Sequence, residues 1–369
     1  MAPSASSVTA HARLPIAVVA AIQVALAIAS SGCVLWRLPD HHGWEALDSG
    51  EVVVGAWLGS WPADGNPAID QFQDKAGVRL DVVDVYLDWN TPFANVSHTL
   101  HHIASRGAVP VLTWEPQGLT TVDILDGHKQ IPLRDGRRMA MDDYVAEFAE
   151  GTCQAAHAAQ QPILVRTLHE MNGFWFAWGI TWKDGQGHTP NSIDNYRRAW
   201  IKVHDAFTNR CGSDVRFVWA VNHFSLGQGA TFTNAYPGDA YVDFVAIDGY
   251  NWGANANWGW QSFDDIFHDS YCAVTAATTK PLLIAETAST ERGGDKAAWI
   301  GDMYAKLHSY GRIRGFVWFN DAKYEIESHR DLDWPADSSD AALAAYAAGA
   351  RAITDGRGSS ATPVAQVRC

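Results

Sequence analysis

Eight short apolar runs, most of them followed by a helical pattern, constrain the fold of this chain more than any other feature. The runs are rich in β-branched residues, which is typical of strands buried on both faces. They span residues 51–57, 79–86, 109–113, 162–168, 215–221, 242–247, 281–285 and 313–317. Successive β–α units with strands of this kind predict an α/β domain in which a parallel sheet closes into a (β/α)8 or TIM barrel.

The barrel is expected to be a single domain over residues 34–355, after an N-terminal signal segment and before a C-terminal tail at 356–369. An irregular lead-in is predicted before the first strand, a polar loop after the third strand, and a missing helix after the fifth. Helices are predicted over 67–76, 95–106, 142–159, 192–209, 262–278, 295–310 and 340–353, with Asn95 and either Asn191 or Ser192 as helix caps. The competing architecture is an open doubly wound sheet. It usually carries a Gly-rich phosphate turn, and Gly55-Ala-Trp-Leu-Gly59 lacks that pattern.

Residues 14–29 form an uncharged apolar run that follows Arg13 and precedes several small residues. A basic residue, a short apolar run and small residues in this order predict a secretory signal. Residues 1–33 are therefore expected to be a signal peptide or a signal anchor. The protein would be secreted, periplasmic or attached to the cell surface. Ser-Gly before Cys33 resembles a bacterial lipoprotein site, although Ser30 stands where that pattern prefers Leu, so Cys33 is a candidate for lipid attachment.

Export permits disulfide bonds, and four cysteines remain after Cys33. Four cysteines allow three pairings. Cys153 and Cys211 fall late in two successive predicted helices, which leads to the hypothesis that they pair with each other and that Cys272 pairs with Cys369. The chain contains no CxxC pair, so the sequence gives no support to a zinc or redox motif.

The composition restricts the partners of this protein. A formal charge of −14 disfavours nucleic acids and anionic membrane surfaces as partners, and we expect contact with a membrane only through the N-terminal segment. The seventeen tryptophans are unusual, and many of them stand beside Gly, Asn or Asp rather than inside apolar runs. We expect a monomer that binds a neutral ligand and needs no cofactor or metal.

The predicted strands end in carboxylates mixed with aromatic rings. In a barrel these ends line one shared mouth, where catalytic sites lie. Sugar rings fit such a mouth because their C–H faces pack on aromatic rings while their hydroxyls bond carboxylate, amide and imidazole groups. The residues expected at the mouth are Trp57, Tyr86, Asp88, Trp114, Glu115, Glu170, Trp175, Asn222, His223, Asp248, Tyr250, Glu286 and Trp318.

Glu170 and Glu286 are the candidate catalytic pair. They end the fourth and seventh strands, which lie across the mouth from each other, so their side chains can converge on one bound sugar. A carboxyl separation of about 5 to 5.5 Å would give hydrolysis with retention of configuration. The aromatic surroundings of Trp175 favour a protonated acid, while Arg166 and Tyr250 can keep the nucleophile ionised.

The string His169-Glu170-Met-Asn-Gly-x-Trp resembles the acid/base signature of glycoside hydrolase family 26. Ile-Ala-Glu286 and Gly-Phe-Val-Trp318-Phe are similar to its nucleophile and eighth-strand regions, so the likeness covers roughly residues 52–353. The resemblance implies a (β/α)8 barrel and a retaining endo-β-glycanase. It implies that Glu170 is the acid/base, Glu286 the nucleophile and Trp318 the platform under the attacked sugar. It also implies sugar contacts from His169 and Trp175 and a bond from Tyr250 to the nucleophile. Together with these residues, Arg166, Trp114, Glu115 and Asn222 are candidates for contact with the substrate.

The third strand departs from the mannanase pattern because it ends in Trp114-Glu115-Pro116, where many mannanases place a His. Trp-Glu-Pro is more similar to the glucanase branch, and Glu115 is interpreted as a contact for a sugar hydroxyl. The first prediction is nevertheless hydrolysis of a β-1,4-mannan, with mixed-linkage β-1,3-1,4-glucan or β-1,3-xylan as alternatives within the family. The alternative of another class is a non-catalytic polysaccharide-binding protein. Trp258 and Trp260, in a Gly/Asn-rich loop, either form an outer sugar subsite or pack the loop itself.

Overall fold

Eight parallel strands close into a barrel, which confirms the predicted (β/α)8 architecture. The computed structural model describes residues 41–59, 68–224, 231, 233–325, 330–358 and 364–369. The predicted signal segment and the lipidation candidate Cys33 lie outside the described residues. The barrel strands are β1 (Val53–Trp57), β2 (Val82–Asp88), β3 (Val109–Glu115), β6 (Ile163–Thr167), β7 (Val215–Asn222), β8 (Phe244–Asn251), β9 (Leu282–Ser289) and β10 (Ile313–Phe319).

Most helices follow a barrel strand in the chain and pack on the outside of the barrel. Two further strand pairs lie outside the barrel, β4 (Gln130–Pro132) with β5 (Arg138–Ala140), and β11 (Tyr324–Glu325) with β12 (Arg330–Asp331). The helices are α1 (His42–Asp48), α2 (Ala68–Ala76), α3 (Ala94–Ala104), α4 (Thr121–Leu125), α5 (Met141–Ala159), α6 (Ile193–Cys211), α7 (Phe263–Ala277), α8 (Lys296–Leu307) and α9 (Asp340–Gly356). Within the described residues, no helix combines the length and the apolar character needed to cross a membrane.

The barrel interior changes from apolar to polar along the strand direction. Near the start of the strands it is filled by a cluster of small and β-branched side chains, and α1 adds Ala46 and Leu47 to that cluster. Gly43 allows α1 to approach closely, because a Cβ at this position would lie 2.0 Å from the carbonyl oxygen of Asp81. The predicted irregular lead-in is therefore wrong over α1, which is helical because its apolar face closes the bottom of the barrel.

Several predicted boundaries differ from the structure. Most barrel strands extend beyond their predicted ends, because pairing with neighbouring strands continues into the polar residues at the mouth. Asn95 is not a cap, since α3 begins at Ala94, whereas Ser192 accepts a hydrogen bond from the backbone of Asn195 and caps α6. The loop predicted after β3 contains α4 and the β4–β5 pair. After β7, the described residues contain only a 3-10 turn, Asp239–Tyr241, and 225–230 and 232 lie outside the description.

Two disulfide bonds join segments that lie outside the barrel strands. Cys153 of α5 is bonded to Cys211 of α6, and Cys272 of α7 is bonded to the C-terminal Cys369. The hypothesis for the pairing is confirmed. The second bond fixes the C-terminal segment, where the backbone N–H of Val367 also donates to the carbonyl oxygen of Ser309.

Candidate active site

A cleft of about 1380 Å³ opens where the strands end. Its walls combine carboxylates, amides and aromatic rings from the barrel strands and the loops that follow them. Among the described residues, no group of three or more His, Cys, Asp or Glu side chains is arranged to hold a metal ion. The lining residues are Trp57, Tyr86, Glu115, Gln117, His169, Glu170, Phe174, Trp175, Phe176, Asn222, His223, Phe224, Tyr250, Trp252, Trp258, Gln261, Asp265, Ile266, Asp269, Glu286, Phe319, Lys323 and Trp334.

Glu170 reaches this cleft from an unusual turn after β6. Both Leu168 and Glu170 have left-handed backbone angles, with φ of 48° and 52°. A non-glycine residue in this region costs on the order of 1–2 kcal/mol, so the surrounding structure must enforce it. The Glu170 N–H donates to Ala220 of β7 over 3.0 Å, and the Glu170 carbonyl accepts from Gly173 over 2.9 Å. These bonds hold the turn that presents the carboxyl group to the cleft.

The carboxyl group of Glu170 is buried but receives a hydrogen bond on each oxygen. Asn222 Nδ2 donates to Oε1 over 2.7 Å, and Trp175 Nε1 donates to Oε2 over 2.6 Å. Burial raises the pKa of Glu170 to about 7, and the negative charge of Glu286 adds to that rise, while the two hydrogen bonds oppose it. Glu170 is therefore able to hold a proton near neutral pH.

Glu286 lies in β9, where a β-bulge changes the direction of its side chain. Ile247 of β8 pairs with Ile284, but the next residue, Asp248, pairs with Glu286, so Ala285 is an extra residue in β9. Ala285 contributes to the apolar cluster inside the barrel. Simple alternation would then direct Glu286 outward. The bulge brings its side chain back to the inner face, above that cluster.

The Glu286 carboxylate is held by a cation and a phenol. Arg166 donates to Oε1 and the Tyr250 hydroxyl donates to Oε2. Burial by itself would raise the pKa of Glu286, but the positive charge of Arg166 and the hydrogen bond from Tyr250 outweigh burial and lower this pKa to about 2. Glu286 is consequently ionised over the whole neutral range.

Arg166 connects the nucleophile candidate to the charged interior of the barrel. Its guanidinium is fully buried and donates to Asp248 Oδ2 over 2.6 Å and to Thr113 Oγ1 over 3.1 Å, and it lies 3.7 Å from Asp84. The predicted substrate contact is wrong for this residue, because Arg166 lies below the cleft rather than in its lining. Its role as a residue that orients carboxylates agrees with these contacts.

His169 and Glu115 stand together on the cleft wall beside Glu286. His169 Nε2 lies 3.7 Å from Glu115 Oε1 and 4.0 Å from Glu286 Oε1. Burial and the nearby Arg166 lower the pKa of His169 well below its usual value, so its imidazole is neutral. Burial raises the pKa of Glu115 to about 7. The pair can therefore offer both a donor and an acceptor to a sugar hydroxyl.

Stacked aromatic rings form the wall on the Glu286 side. Trp334 stacks on Tyr250 with ring centroids 4.5 Å apart and planes 14° apart, and Trp252 meets Trp334 edge-on at 4.9 Å. Phe319 packs on Trp57 at 4.0 Å and on Trp334 at 5.5 Å. These rings line the cleft and give it an apolar face next to the candidate nucleophile.

Two predicted substrate contacts are wrong. Trp114 has no exposed surface and stacks between Trp89 and Phe148, with ring centroids 4.2 and 4.4 Å away, in the layer between barrel and helices. Trp318 is equally buried, and its Nε1 donates to the carbonyl oxygen of Trp334 over 3.0 Å. Both indoles point outward because their sequence neighbours in the strand point inward.

The structure also places at the site residues that the sequence did not single out. Trp334, Phe319 and Trp252 line the cleft, and Asp84 with Thr113 joins the network of Arg166. Two of these had a signal in the sequence. Asp84 is a charge in the middle of an apolar strand, and Trp334 is an aromatic residue in a Pro/Asp-containing loop after the last strand. The other predicted site residues, His169, Glu170, Trp175, Tyr250, Glu115, Asn222 and Glu286, are brought together in the cleft lining.

A sequence model described as glycosyl hydrolase family 26 matches residues 82–300, a span that holds both candidate carboxylates. The chain belongs to glycosyl hydrolase family 26. The resemblance in its motifs is thereby confirmed, and its strings around Glu170 and Glu286 lie at the cleft described above.

Proteins with two different enzyme names are similar to this chain. Endoglucanase H of Acetivibrio thermocellus is 37% identical over 298 residues, which cover 80% of this chain and 30% of that protein. A mannan endo-1,4-beta-mannosidase of Bacillus subtilis is 30% identical over 176 residues, which cover 47% of this chain and 43% of the relative. The chain thus spans less than half the length of either relative. The fold is shared with the solved structure of a Bacillus subtilis mannanase, which is 22% identical and has a TM-score of 0.55. The match covers 82% of this chain and 88% of that chain.

Proposed function

We propose that this chain is a retaining endo-β-glycanase in which Glu286 is the nucleophile and Glu170 the acid/base. The observation that carries the proposal is the separation of two carboxyl pKa values in one cleft. The pKa of Glu170 is raised to about 7 and the pKa of Glu286 is lowered to about 2. Carboxyl groups whose environments move their pKa values apart are suited to opposite roles, one as proton donor and one as anion.

In the first step, the Glu286 carboxylate attacks the anomeric carbon while Glu170 gives its proton to the leaving oxygen. The bond to the leaving sugar breaks, and a covalent ester to Glu286 forms. The phenol of Tyr250 and the guanidinium of Arg166 hold the attacking carboxylate in one orientation. Holding a nucleophile in position removes much of the entropic cost of the attack.

In the second step, Glu170 takes a proton from a water molecule that attacks the anomeric carbon, and the ester bond to Glu286 breaks, which restores the Glu286 carboxylate. Formation of the ester removes the negative charge of Glu286, which had helped to raise the pKa of Glu170. The pKa of Glu170 therefore falls in the intermediate, and the residue becomes the ionised base that the second step requires. The released sugar keeps the configuration of the substrate.

For the substrate we propose a β-glucan of mixed 1,3 and 1,4 linkage, with β-1,4-mannan as the second candidate. The relative named endoglucanase H matches 80% of this chain, whereas the mannosidase relative matches 47%. In the cleft, Glu115 beside His169 supplies a carboxyl where the mannanase pattern expects an imidazole. The mannosidase relatives support mannan as the second candidate, so this order is the reverse of the first prediction from the sequence.

The proposal is tested by measuring reducing ends released from barley-type glucan, β-mannan and β-1,3-xylan. Glu170→Ala and Glu286→Ala serve as inactivated controls, and proton NMR of the fresh product gives the anomeric configuration. We expect release from glucan, initial formation of the β-anomer and loss of activity in both variants. No release from any glycan, with binding retained, would favour a non-catalytic polysaccharide-binding protein. Full activity of Glu286→Ala would refute the assigned nucleophile.

We also propose that the chain is exported by the signal segment at residues 1–33. The bonds Cys153–Cys211 and Cys272–Cys369 support this, because disulfides persist in oxidising compartments. The mass of the mature protein from a secreting host tests the proposal. A shortened N-terminus supports a signal peptide, and an added lipid mass on Cys33 supports anchoring. An intact N-terminus on protein recovered from the cytoplasm would refute export.

A further inference from the structure

Exposed aromatic rings are concentrated at one side of the cleft. Among the described residues, the large apolar side chains that are exposed are Val122, Phe174, Trp175, Trp258 and Val364. All three aromatic members of this set line the cleft. Trp258 is 57% exposed. Contact between an exposed indole and water is unfavourable in free energy, and a bound ligand with an apolar surface would remove this contact.

The loop that carries Trp258 is firmly built. Gly253 and Gly259 pair as an antiparallel bridge, and the side chain of Asn255 donates to Thr290 over 3.0 Å. Gly253 has φ of 51°, and a Cβ there would lie 2.0 Å from the carbonyl oxygen of Arg292, so the loop fits closely against its neighbour. Such a loop fixes the position of Trp258 at its tip.

The two tryptophans of this loop have different surroundings. Trp260 is partly buried against the core, and Gly294 lies so close to its ring that a Cβ would come within 2.4 Å. Trp258 remains at the cleft, where its ring centroid is 6.5 Å from that of Phe224. Loop packing therefore accounts for Trp260 and leaves the ring of Trp258 available to a ligand.

Trp258 is the outer end of a row of rings that starts at the candidate acid. Trp175 bonds Glu170 through its indole N–H, and its ring centroid is 6.3 Å from that of Phe224, the next ring in the row. Because Glu170 protonates the leaving oxygen, Trp175 stands beside the leaving sugar. Phe224 and Trp258 then lie farther along the leaving-group side of the cleft.

Hydrogen-bonding groups also line this cleft. Gln261, Asp265 and Asp269 are among its lining residues, and Gln261 follows Trp258 by three positions in the chain. Asp265 is engaged in the capping box of α7 with Ser262, while the Asp269 side chain is 93% exposed. Carboxylate and amide groups next to an aromatic face match the alternation of hydroxyls and C–H faces on a sugar.

We propose that Trp258 and Phe224 form an outer subsite on the leaving-group side, which binds β-linked sugar rings beyond the ring that stacks on Trp175. This inference rests on the proposed glycanase function and extends it to long chains. A substrate long enough to reach Trp258 gains binding free energy from that contact, which a short aryl glycoside does not make. The enzyme should therefore prefer internal bonds of a polymer to bonds close to its reducing end.

The test compares Trp258→Ala with the wild type on barley-type glucan and on an aryl β-glycoside of a glucan oligosaccharide. The aryl group occupies only the position beside Glu170. We expect the ratio of kcat/KM on polymer to kcat/KM on the aryl substrate to fall on the order of tenfold, the value for loss of one well-packed ring contact. Val122→Ala, an exposed apolar residue outside the cleft lining, is the matched control and should leave this ratio unchanged. An unchanged ratio in Trp258→Ala would overturn the proposal.

A binding measurement keeps this inference separate from the proposed function. Migration of Glu286→Ala and of the double variant Glu286→Ala/Trp258→Ala is compared in native gels that contain β-glucan. We expect weaker retardation of the double variant. If the wild type proves to hydrolyse no glycan, the catalytic proposal fails while the gels still decide the subsite. Equal retardation of both variants would refute the subsite even in an active enzyme.

Discussion

The hydrogen bond from Trp175 to Glu170 predicts how the pH dependence of this enzyme should respond to a single substitution. In the proposed mechanism Glu170 must be protonated for the first step, so kcat/KM should fall as pH rises through the Glu170 pKa, which lies at about 7. The Trp175 N–H stabilises the ionised form of Glu170 over 2.6 Å and thereby holds this pKa down. Trp175→Phe keeps an aromatic ring but removes the donor. The pKa of Glu170 and the alkaline limb of activity should both rise.

The size of this shift follows from the environment of the bond. A hydrogen bond to a charged group contributes about 1.5–3 kcal/mol. Because the Trp175 side chain is 36% exposed, water can replace part of its contribution, and we take the lower end of the range. About 1.4 kcal/mol corresponds to about one pKa unit. The alkaline limb of Trp175→Phe should therefore move upward by about one pH unit, while the acid limb, set by Glu286, should not move.

The assay is kcat/KM on a glycan with a poor leaving group, measured from acidic to alkaline pH, with thermal unfolding recorded at each pH. Trp258→Phe is the matched control, because it removes an indole N–H from the same cleft without touching the bond from Trp175 to Glu170. Its alkaline limb should coincide with that of the wild type. A limb in Trp175→Phe that stays in place or moves to lower pH would refute the acid role of Glu170 or the effect of this bond.

Three further predictions concern other parts of the site. Arg166→Met should raise the pKa of Glu286 and move the acid limb of kcat/KM to higher pH. The reason is that the positive charge of Arg166 is the largest influence that lowers this pKa against the effect of burial. Lys296→Met should lower the free energy of unfolding by about 3 kcal/mol in urea titrations, because its ammonium donates to three carbonyl oxygens of the Trp334 loop and to a serine hydroxyl. Glu115→Gln should change the ratio of kcat/KM on glucan to that on mannan by about tenfold, as expected for loss of one acceptor to a substrate hydroxyl.

Each of these three predictions has an outcome that contradicts it. An acid limb unchanged in Arg166→Met would mean that other groups keep the nucleophile ionised. Wild-type stability in Lys296→Met would mean that the loop carrying Trp334 does not depend on that ammonium. Equal losses on glucan and mannan in Glu115→Gln would remove Glu115 from substrate discrimination. Circular dichroism of each variant controls for misfolding.

The barrel and the main carboxylates could be predicted from the sequence because both depend on local patterns. Apolar runs separated by helical segments specify β–α units, and parallel strands in a closed sheet must end at the same mouth. Glu170 and Glu286 follow two such runs directly. Their meeting in one cleft therefore follows from topology, without knowledge of any side-chain contact.

The errors at the site arise from the direction of side chains rather than from the position of strands. In β3, Thr113 and Glu115 face the interior, so Trp114 between them must face the helices. The same alternation in β10 turns Trp318 outward while Phe319 lines the cleft. The two-residue period of a strand accounts for the outward direction of both indoles.

The bulge in β9 could not be predicted in this way. Strict alternation from Leu283 and Ala285, which both face the barrel interior, directs Glu286 away from the cleft. The extra residue is visible only in the pairing of β9 with both of its neighbours. A bulge arises from the fit between strands, and a single sequence carries little information about that fit.

The charge distribution below the cleft explains why one arginine suffices for three carboxyl groups. Burial raises the pKa of Asp84 to about 7 and raises that of Asp248 well above its usual value, although both lie near Arg166. Near neutral pH Glu286, whose pKa is about 2, carries a full negative charge beside Arg166, whereas Asp84 is only partly ionised. In the proposed mechanism, formation of the ester removes the charge of Glu286, and the pKa of Asp84 and that of Asp248 should fall because this charge helped to raise them. A carboxyl group with a pKa near 7 can then ionise and replace the lost charge. The interior can in this way stabilise Arg166 both before and after the nucleophile has reacted.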